Sequence, residues 1–308
     1  MNGSDHTSGA VLAAYRYCET VTGHEARNFA YGIRLLPTAK RQAMSALYAF
    51  SRRVDDIGDG DLAPDVKQER LDETRTVLAR VRAGEVSEDD TNPVAVALSD
   101  AARRFPIPLE GLDELIDGVQ MDLRGDTYET WDDLAAYCRC VAGAIGRLSL
   151  GVFGTVPGAP GTEQADDYAD TLGLALQLTN ILRDIREDAD NGRTYLPAND
   201  LAKFGCSAGF HGSTPPSGAD FTGLMEFEVR RARALFATGY RLLPMLDRRS
   251  GACVAAMAGI YRRLLDRIAA DPEAVLRGRV SLPGREKAYV AARGLAGLDS
   301  RRAARGRV

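Results

Sequence analysis

Apolar residues recur along this chain at intervals of three and four, and strict alternation of apolar and polar positions is weak throughout. The pattern predicts helices at about Ala10–Val21, Pro37–Asp59, Pro64–Arg82, Pro93–Arg104, Leu109–Leu123, Thr130–Phe153, Thr162–Asp190, Phe221–Asp247 and Gly251–Ala270. Pro37, Pro64 and Pro93 stand where a first helical turn tolerates proline, because an N–H there has no intrahelical acceptor anyway. The separators, such as Gly84–Asn92, Gly154–Gly161 and Cys206–Gly218, are rich in Gly, Pro, Asp and Ser, and the last reads as a mobile surface loop. There is no fixed-period repeat and no interdomain linker. The expected fold is all-α, a single helical domain over residues 1–308 with frayed ends at 1–9 and 300–308.

Composition narrows the function classes. Of 308 residues, 45% are hydrophobic, which is ample for a core, and the formal net charge of -4 gives no reason to expect nucleic acid as a partner. Of 39 basic residues only Lys40, Lys67, Lys203 and Lys287 are lysines. Arginine's planar fork suits phosphate, although a GC-rich genome accounts for most of that bias. The five cysteines, Cys18, Cys138, Cys140, Cys206 and Cys253, have neither disulfide-framework nor zinc-finger spacing and read as reduced thiols. Residues 1–9 are polar with no signal-peptide core, and no apolar run is long enough to span a bilayer. The expectation is a cytoplasmic protein, or one peripheral to the inner face of the membrane.

Two helices carry candidate chemistry. In Pro37–Asp59, the apolar positions include Met44, Leu47, Val54 and Ile57, while Tyr48, Arg52, Asp55 and Asp59 fall at i, i+4, i+7 and i+11 on one stripe. In Thr162–Asp190, Gln177, Asn180, Asp184 and Asp188 form a second stripe at i, i+3, i+7 and i+11. Two carboxylates one turn apart repel by roughly 0.2–0.5 kcal/mol unless something sits between them. A divalent cation reverses that sign, and magnesium uses one or two carboxylates together with water and substrate phosphates. The spacing is not distinctive by itself, since Asp113/Asp117 and Asp166/Asp170 share it early in helices, where the dipole favours negative charge. The two stripes come late in their helices and keep polar company. On pattern alone, a metal site and a solvated acidic face remain equally good readings.

At these residues the chain resembles the squalene/phytoene synthase family. The matching text is Asn28-Phe-Ala-Tyr-Gly-Ile-Arg-Leu-Leu-Pro37, Ala46-Leu-Tyr-Ala-Phe-Ser-Arg-Arg-Val-Asp-Asp-Ile-Gly-Asp59, Tyr137-Cys-Arg-Cys-Val-Ala-Gly143, Gln177-Leu-Thr-Asn-Ile-Leu-Arg-Asp-Ile-Arg-Glu-Asp188 and Gly192-Arg-Thr-Tyr-Leu-Pro197. The resemblance covers residues 10–295 or so and implies an isoprenoid-synthase-type helical bundle around a central cavity, in which two identical prenyl diphosphates condense head to head. It implies that Asp55, Asp59, Asp184 and Asp188, with Asn180 assisting, hold magnesium (or manganese). It implies catalytic positions at Tyr48 and Tyr137 beside those carboxylates. It also implies substrate-binding positions at Arg27, Phe29, Arg52, Gln177, Tyr261, Arg279 and Lys287. Asp56 and Glu187, on turned faces, read as outer or solvated groups. The wording is most similar to bacterial members that join two farnesyl diphosphates and stop at presqualene diphosphate on the hopanoid route. NADPH is then not expected, no dinucleotide glycine fingerprint being present. The alternatives are phytoene synthesis from geranylgeranyl diphosphate and a full NADPH-dependent squalene synthase. Expected partners are the prenyl diphosphates, downstream pathway enzymes and a membrane surface that receives the apolar product.

Overall fold

The computed structural model describes residues 8–26, 28–207 and 214–297, and among them no strand occurs. Ser8 opens the first helix, α1 (Gly9–Glu25), by accepting a hydrogen bond from the Val11 N–H. The first two residues of the described chain thus belong to a capped helix start, although 8 and 9 were expected in a frayed end. Residues 1–7, 27, 208–213 and 298–308 lie outside the described residues, so most of the expected N-terminal frayed end, all of 300–308 and part of the expected mobile loop fall there.

Next come α2 (Phe29–Ile33), α3 (Thr38–Asp59), α4 (Pro64–Ala83), α5 (Pro93–Arg104) and α6 (Glu110–Arg124). Pro64 and Pro93 sit in first turns as expected, whereas Pro37 lies just outside α3. The expected helix Thr130–Phe153 is uninterrupted from Trp131 but built in three pieces: α7 (Trp131–Cys138), a π-helical turn over Arg139–Gly143, and α8 (Ala144–Phe153). A capping box between Thr130 and Asp133 starts it. A 3₁₀ turn at Thr162–Gln164 leads into α9 (Ala165–Asp190), the 26-residue central helix. After α10 (Ala198–Lys203) comes α11 (Phe221–Gly239). It stops short of Asp247, because Pro244 confines Tyr240–Met245 to a 3₁₀ turn. Asp247 then caps α12 (Arg248–Ala270), and α13 (Ala274–Arg277) and α14 (Gly284–Leu295) complete the described chain.

Core residues from nearly every helix form one cluster. α3 packs on α1, α5 and α6, while α9 packs on α8, α11 and α12. These contacts leave a space between the α3 and α9 halves. Glycine sets how closely the walls approach. A Cβ on Gly173 of α9 would overlap the Ala142 carbonyl in the π turn, and one on Gly146 of α8 would overlap the Ala169 carbonyl of α9. The four short or late helices, α2, α10, α13 and α14, were not expected. Three of them are too short to show a period. α14 hides its contact because Val290, Ala291 and Gly294 are the residues it buries.

Candidate active site

The space between α3 and α9 is a cavity of about 380 Å³. Its lining divides by chemistry along its length. Asp55 and Asp59 of α3, Asp184 and Asp188 of α9, and Asp122 of α6 gather with Arg193 and Tyr195 from the loop behind α9. Most of the rest of the wall is apolar, including Leu115, Val119, Ile145, Phe153, Leu176 and Val254. Helical period accounts for the division: late residues of α3 and α9 carry the carboxylates, and earlier residues on the same faces carry Met44, Leu47, Leu172 and Leu176.

The structure brings both expected stripes to this one cavity: Tyr48, Asp55, Asp59, Gln177, Asn180, Asp184 and Asp188 all line it, as do Phe29 and Tyr137. Tyr261 stands behind the lining, buried, with its ring stacked on Phe29 at 5.8 Å between centroids. Arg52 lies beside the mouth outside the lining. Its Nη2 is 2.7 Å from Asp56 Oδ1, and its buried Nε has no partner. Arg279 has its Nε 3.2 Å from Asp184 Oδ1 and its Nη1 3.4 Å from Glu187 Oε2. Asp56 and Glu187 are therefore exposed counter-ions of these two arginines. Lys287 is on α14, away from the lining, and Arg27 lies outside the described residues.

Three of the other i, i+4 aspartates pair with arginines, and the fourth, Asp166, is exposed. Asp113 and Asp117 both pair with Arg75 of α4, and Asp113 also with Arg82. Asp170 pairs with Arg147 and Arg139. Asp55 and Asp188, by contrast, make no ion pair or side-chain hydrogen bond among the described residues. Burial, reinforced by the negative charge of Asp59, pushes the Asp55 carboxyl up to about 7. Burial and Asp184 do the same to Asp188, also to about 7. Asp59 is met by Arg193 and Asp184 by Arg183 and Arg279.

This donor set fits a divalent cation. Two half-buried carboxylates without ion-pair partners, Asp55 and Asp188, line the same cavity, and the buried Asn180 Oδ1 has no hydrogen-bond partner. Among the described residues no group of three or more His, Cys, Asp or Glu side chains is preassembled for a metal. A cation held here takes one or two carboxylates and draws its other oxygens from water or a phosphate, which is how magnesium binds.

Three residues of the site escaped the sequence reading. Asp122 accepts from the hydroxyls of Tyr137 at 2.9 Å and Tyr195 at 2.7 Å. The Tyr137 and Tyr195 rings stack at 5.2 Å. Burial raises Asp122 although both hydroxyls pull it down. Burial also raises Tyr137 and Tyr195, and Tyr48 to about 12. Arg193 and Tyr195 lie within the quoted segment Gly192–Pro197, so their signal was present but unassigned. Asp122 had none, being a lone carboxylate on a third helix.

The family model described as squalene/phytoene synthase matches residues 22–286. The chain belongs to the squalene/phytoene synthase family. It is a prenyltransferase of the head-to-head condensing type, and the family acts on prenyl diphosphates. A phytoene synthase from Mycobacterium bovis is 48% identical over 285 residues, covering 92% of this chain and 91% of that protein. A 15-cis-phytoene synthase from Synechococcus elongatus is 38% identical, with 88% of each covered. Among solved structures, a dehydrosqualene synthase superposes with a TM-score of 0.82 at 27% identity, covering 94% of this chain and 98% of that one. The squalene synthase HpnC from Alicyclobacillus acidocaldarius gives 0.76 at 30% identity, with 86% and 96% covered. The isoprenoid-synthase-type all-α fold expected for a squalene/phytoene synthase is the one observed. No described helix is long and apolar enough to cross a membrane.

Proposed function

We propose that this protein joins two farnesyl diphosphates head to head and releases presqualene diphosphate. The observation that carries the reading is the pair of aspartate stripes converging on one mouth of an apolar cavity. Two facing carboxylate sets suit two diphosphates, whereas a one-substrate cyclase needs a single strong acidic motif, and a binding protein has no use for both sets.

In this reading Asp55, Asp59, Asp184, Asp188 and Asn180 hold magnesium, which supplies positive charge to the departing diphosphate. Arg193, Arg52 and Arg279 surround the same mouth and add guanidinium donors as the C–O bond of the donor breaks. The apolar wall keeps water from the allylic cation, and the face of Tyr48 can stabilise it. The acceptor's double bond attacks, and loss of one proton closes the cyclopropane while the acceptor keeps its diphosphate. Because burial holds the tyrosine hydroxyls protonated, the released diphosphate is the better base. Tyr137 stays hydrogen-bonded to Asp122 and orients the wall beside the reacting carbons. No hydride is needed for this product, so NADPH is not required.

A second reading has a specific observation in its favour: relatives at 48% and 38% identity are named phytoene synthases, which would mean geranylgeranyl substrates. The structural neighbours named for squalene and dehydrosqualene and the bulky Phe153 in the cavity wall support the shorter chain. Incubation of purified protein with magnesium and each diphosphate, without NADPH, separates them. A thirty-carbon cyclopropyl diphosphate is expected. Turnover of geranylgeranyl diphosphate alone transfers the proposal to phytoene synthesis. A cyclic hydrocarbon from one substrate, or no turnover, overturns it.

A further inference from the structure

Away from the carboxylates, a polar cluster stands behind the wall residue Phe153. Lys40 lies in the first turn of α3, one turn before the wall residue Met44. Its Nζ donates to the Phe153 carbonyl oxygen at 2.5 Å, to Asp247 Oδ2 at 2.7 Å and to Ser250 Oγ at 3.0 Å. Ser250 Oγ donates in turn to the same Asp247 oxygen at 2.6 Å. The other Asp247 oxygen accepts from the Arg249 and Ser250 N–H groups and so caps α12. One half-buried ammonium thus ties the start of α3, the end of α8 and the start of α12. Burial tends to raise the Asp247 carboxyl, but the Lys40 and Ser250 hydrogen bonds hold it down at about 2, so the cluster stays ionic at neutral pH.

Phe153 is the last residue of α8, and its side chain lines the cavity. Gly154 behind it takes φ +62 and turns the chain away. A helix end of this kind leaves carbonyls without partners and a negative dipole end, both of which Lys40 satisfies. From Met44 to Asp59 the wall runs about 22 Å along α3, at 1.5 Å per residue. Phe153 therefore stands at the far end of the space from the aspartates.

We propose that Lys40 is a positioning residue for substrate chain length: by pinning the end of α8 it fixes Phe153 as the end wall that limits how long a prenyl tail the cavity accepts. This rests on the reading that prenyl tails occupy the cavity. Each methylene that reaches apolar wall adds about fourfold in affinity, and that gain stops where the wall stands. Without the ammonium, the Phe153 carbonyl and Asp247 lose a shared donor, the last turn of α8 loosens and the ring can swing aside.

The test combines binding and turnover. Calorimetric titration of wild type, Lys40→Met and Phe153→Ala with straight-chain alkyl diphosphates of increasing length locates the length at which affinity stops climbing. That length should move outward by several carbons in Phe153→Ala and by fewer in Lys40→Met. The ratio of kcat/KM for geranylgeranyl over farnesyl diphosphate should rise at least tenfold in Phe153→Ala and several-fold in Lys40→Met. Adding Lys40→Met to Phe153→Ala should change the ratio no further. If Lys40→Met does not fold, Asp247→Asn, which removes the ion pair and the oxygen that accepts from Lys40 and the Ser250 hydroxyl while keeping one oxygen for the α12 cap, should give a smaller shift in the same direction. An unmoved length limit, or an equal loss of turnover for both substrates, overturns the proposal. A limit that moves in a protein with no prenyl turnover leaves the wall standing and removes the proposed function instead.

Discussion

Arg193 reaches from the loop behind α9 to the last residue of α3, placing its Nη1 3.0 Å from Asp59 Oδ1. The pair bridges the two helices that carry the aspartate stripes. Asp59 is mostly exposed, so the bridge adds little to stability. Its value lies in holding a guanidinium at the mouth where a diphosphate would arrive. We expect Arg193→Met to lower kcat/KM for the prenyl diphosphate by ten- to a hundredfold while shifting Tm by no more than a degree or two. Steady-state kinetics and a thermal melt on the same preparation check both halves. A large fall in Tm with an unchanged kcat/KM would make the bridge structural.

Asp55 and Asp188 yield a pH dependence whose sign is fixed. Both carboxyls are raised to about 7, above the ordinary value near 4 that they regain on unfolding. Between about pH 4 and 7 the folded, metal-free protein binds more protons than the unfolded chain, so its stability falls as pH rises through that window and levels off above it. Asp55→Asn removes one of these titrations and should therefore gain stability relative to wild type between pH 5 and pH 8. Urea unfolding with a chelator present measures it, and parallel pH curves for the two proteins would exclude a raised Asp55. The same protons compete with a cation, so the magnesium concentration for half-maximal activity should climb on the order of tenfold per pH unit below 7.

Much of this site was legible because it is periodic. Tyr48, Asp55 and Asp59 on α3, and Gln177, Asn180, Asp184 and Asp188 on α9, share faces that a 3.6-residue period reveals, and all seven line the cavity. What the period could not tell was which Asp pairs were already neutralised. Asp113, Asp117 and Asp170 find arginines from other helices, a long-range fact that no local spacing encodes. Asp122 was hidden for the same reason, since it meets Tyr195 only when α6 and the loop after α9 are brought together. The long helices were readable from their apolar stripes. α14 was not, because it packs on α12 through small residues: a Cβ on Gly294 would come within 3.0 Å of the Ala252 carbonyl.

The hydroxyls of Tyr137 and Tyr195 converge on opposite oxygens of Asp122. Removing one leaves an oxygen of this half-buried carboxylate short of a donor, a loss of about 1–3 kcal/mol where water cannot replace it. Tyr137→Phe and Tyr195→Phe should each destabilise by that order. Because both act on one carboxylate, the double variant should depart from additivity by at least 0.5 kcal/mol or so. A double-mutant cycle in urea checks this, and strict additivity would mean that the two bonds are independent.

Gly173 shows how tightly the cavity wall is drawn. It lines the space on α9, and a Cβ there would overlap the Ala142 carbonyl and approach the Gly143 Cα at 2.8 Å. Those atoms are backbone in the π turn, so neither can rotate aside. Gly173→Ala must therefore push α9 off the α7–α8 wall, at a cost of about 1–3 kcal/mol typical of overpacking. Because Gln177 and Asn180 lie one and two turns further along the same helix, the shift should also displace the polar stripe and lower turnover. Helix propensity alone argues the other way, since alanine is favoured over glycine by roughly 0.8–1.0 kcal/mol in a helix interior. Gly23 of α1 isolates that term: it is helical and exposed, with nothing within 4 Å of an added Cβ. Gly23→Ala should raise Tm with activity intact, and Gly173→Ala should lower both. If the two alanine variants melt alike, close backbone approach is not what sets the distance between these helices.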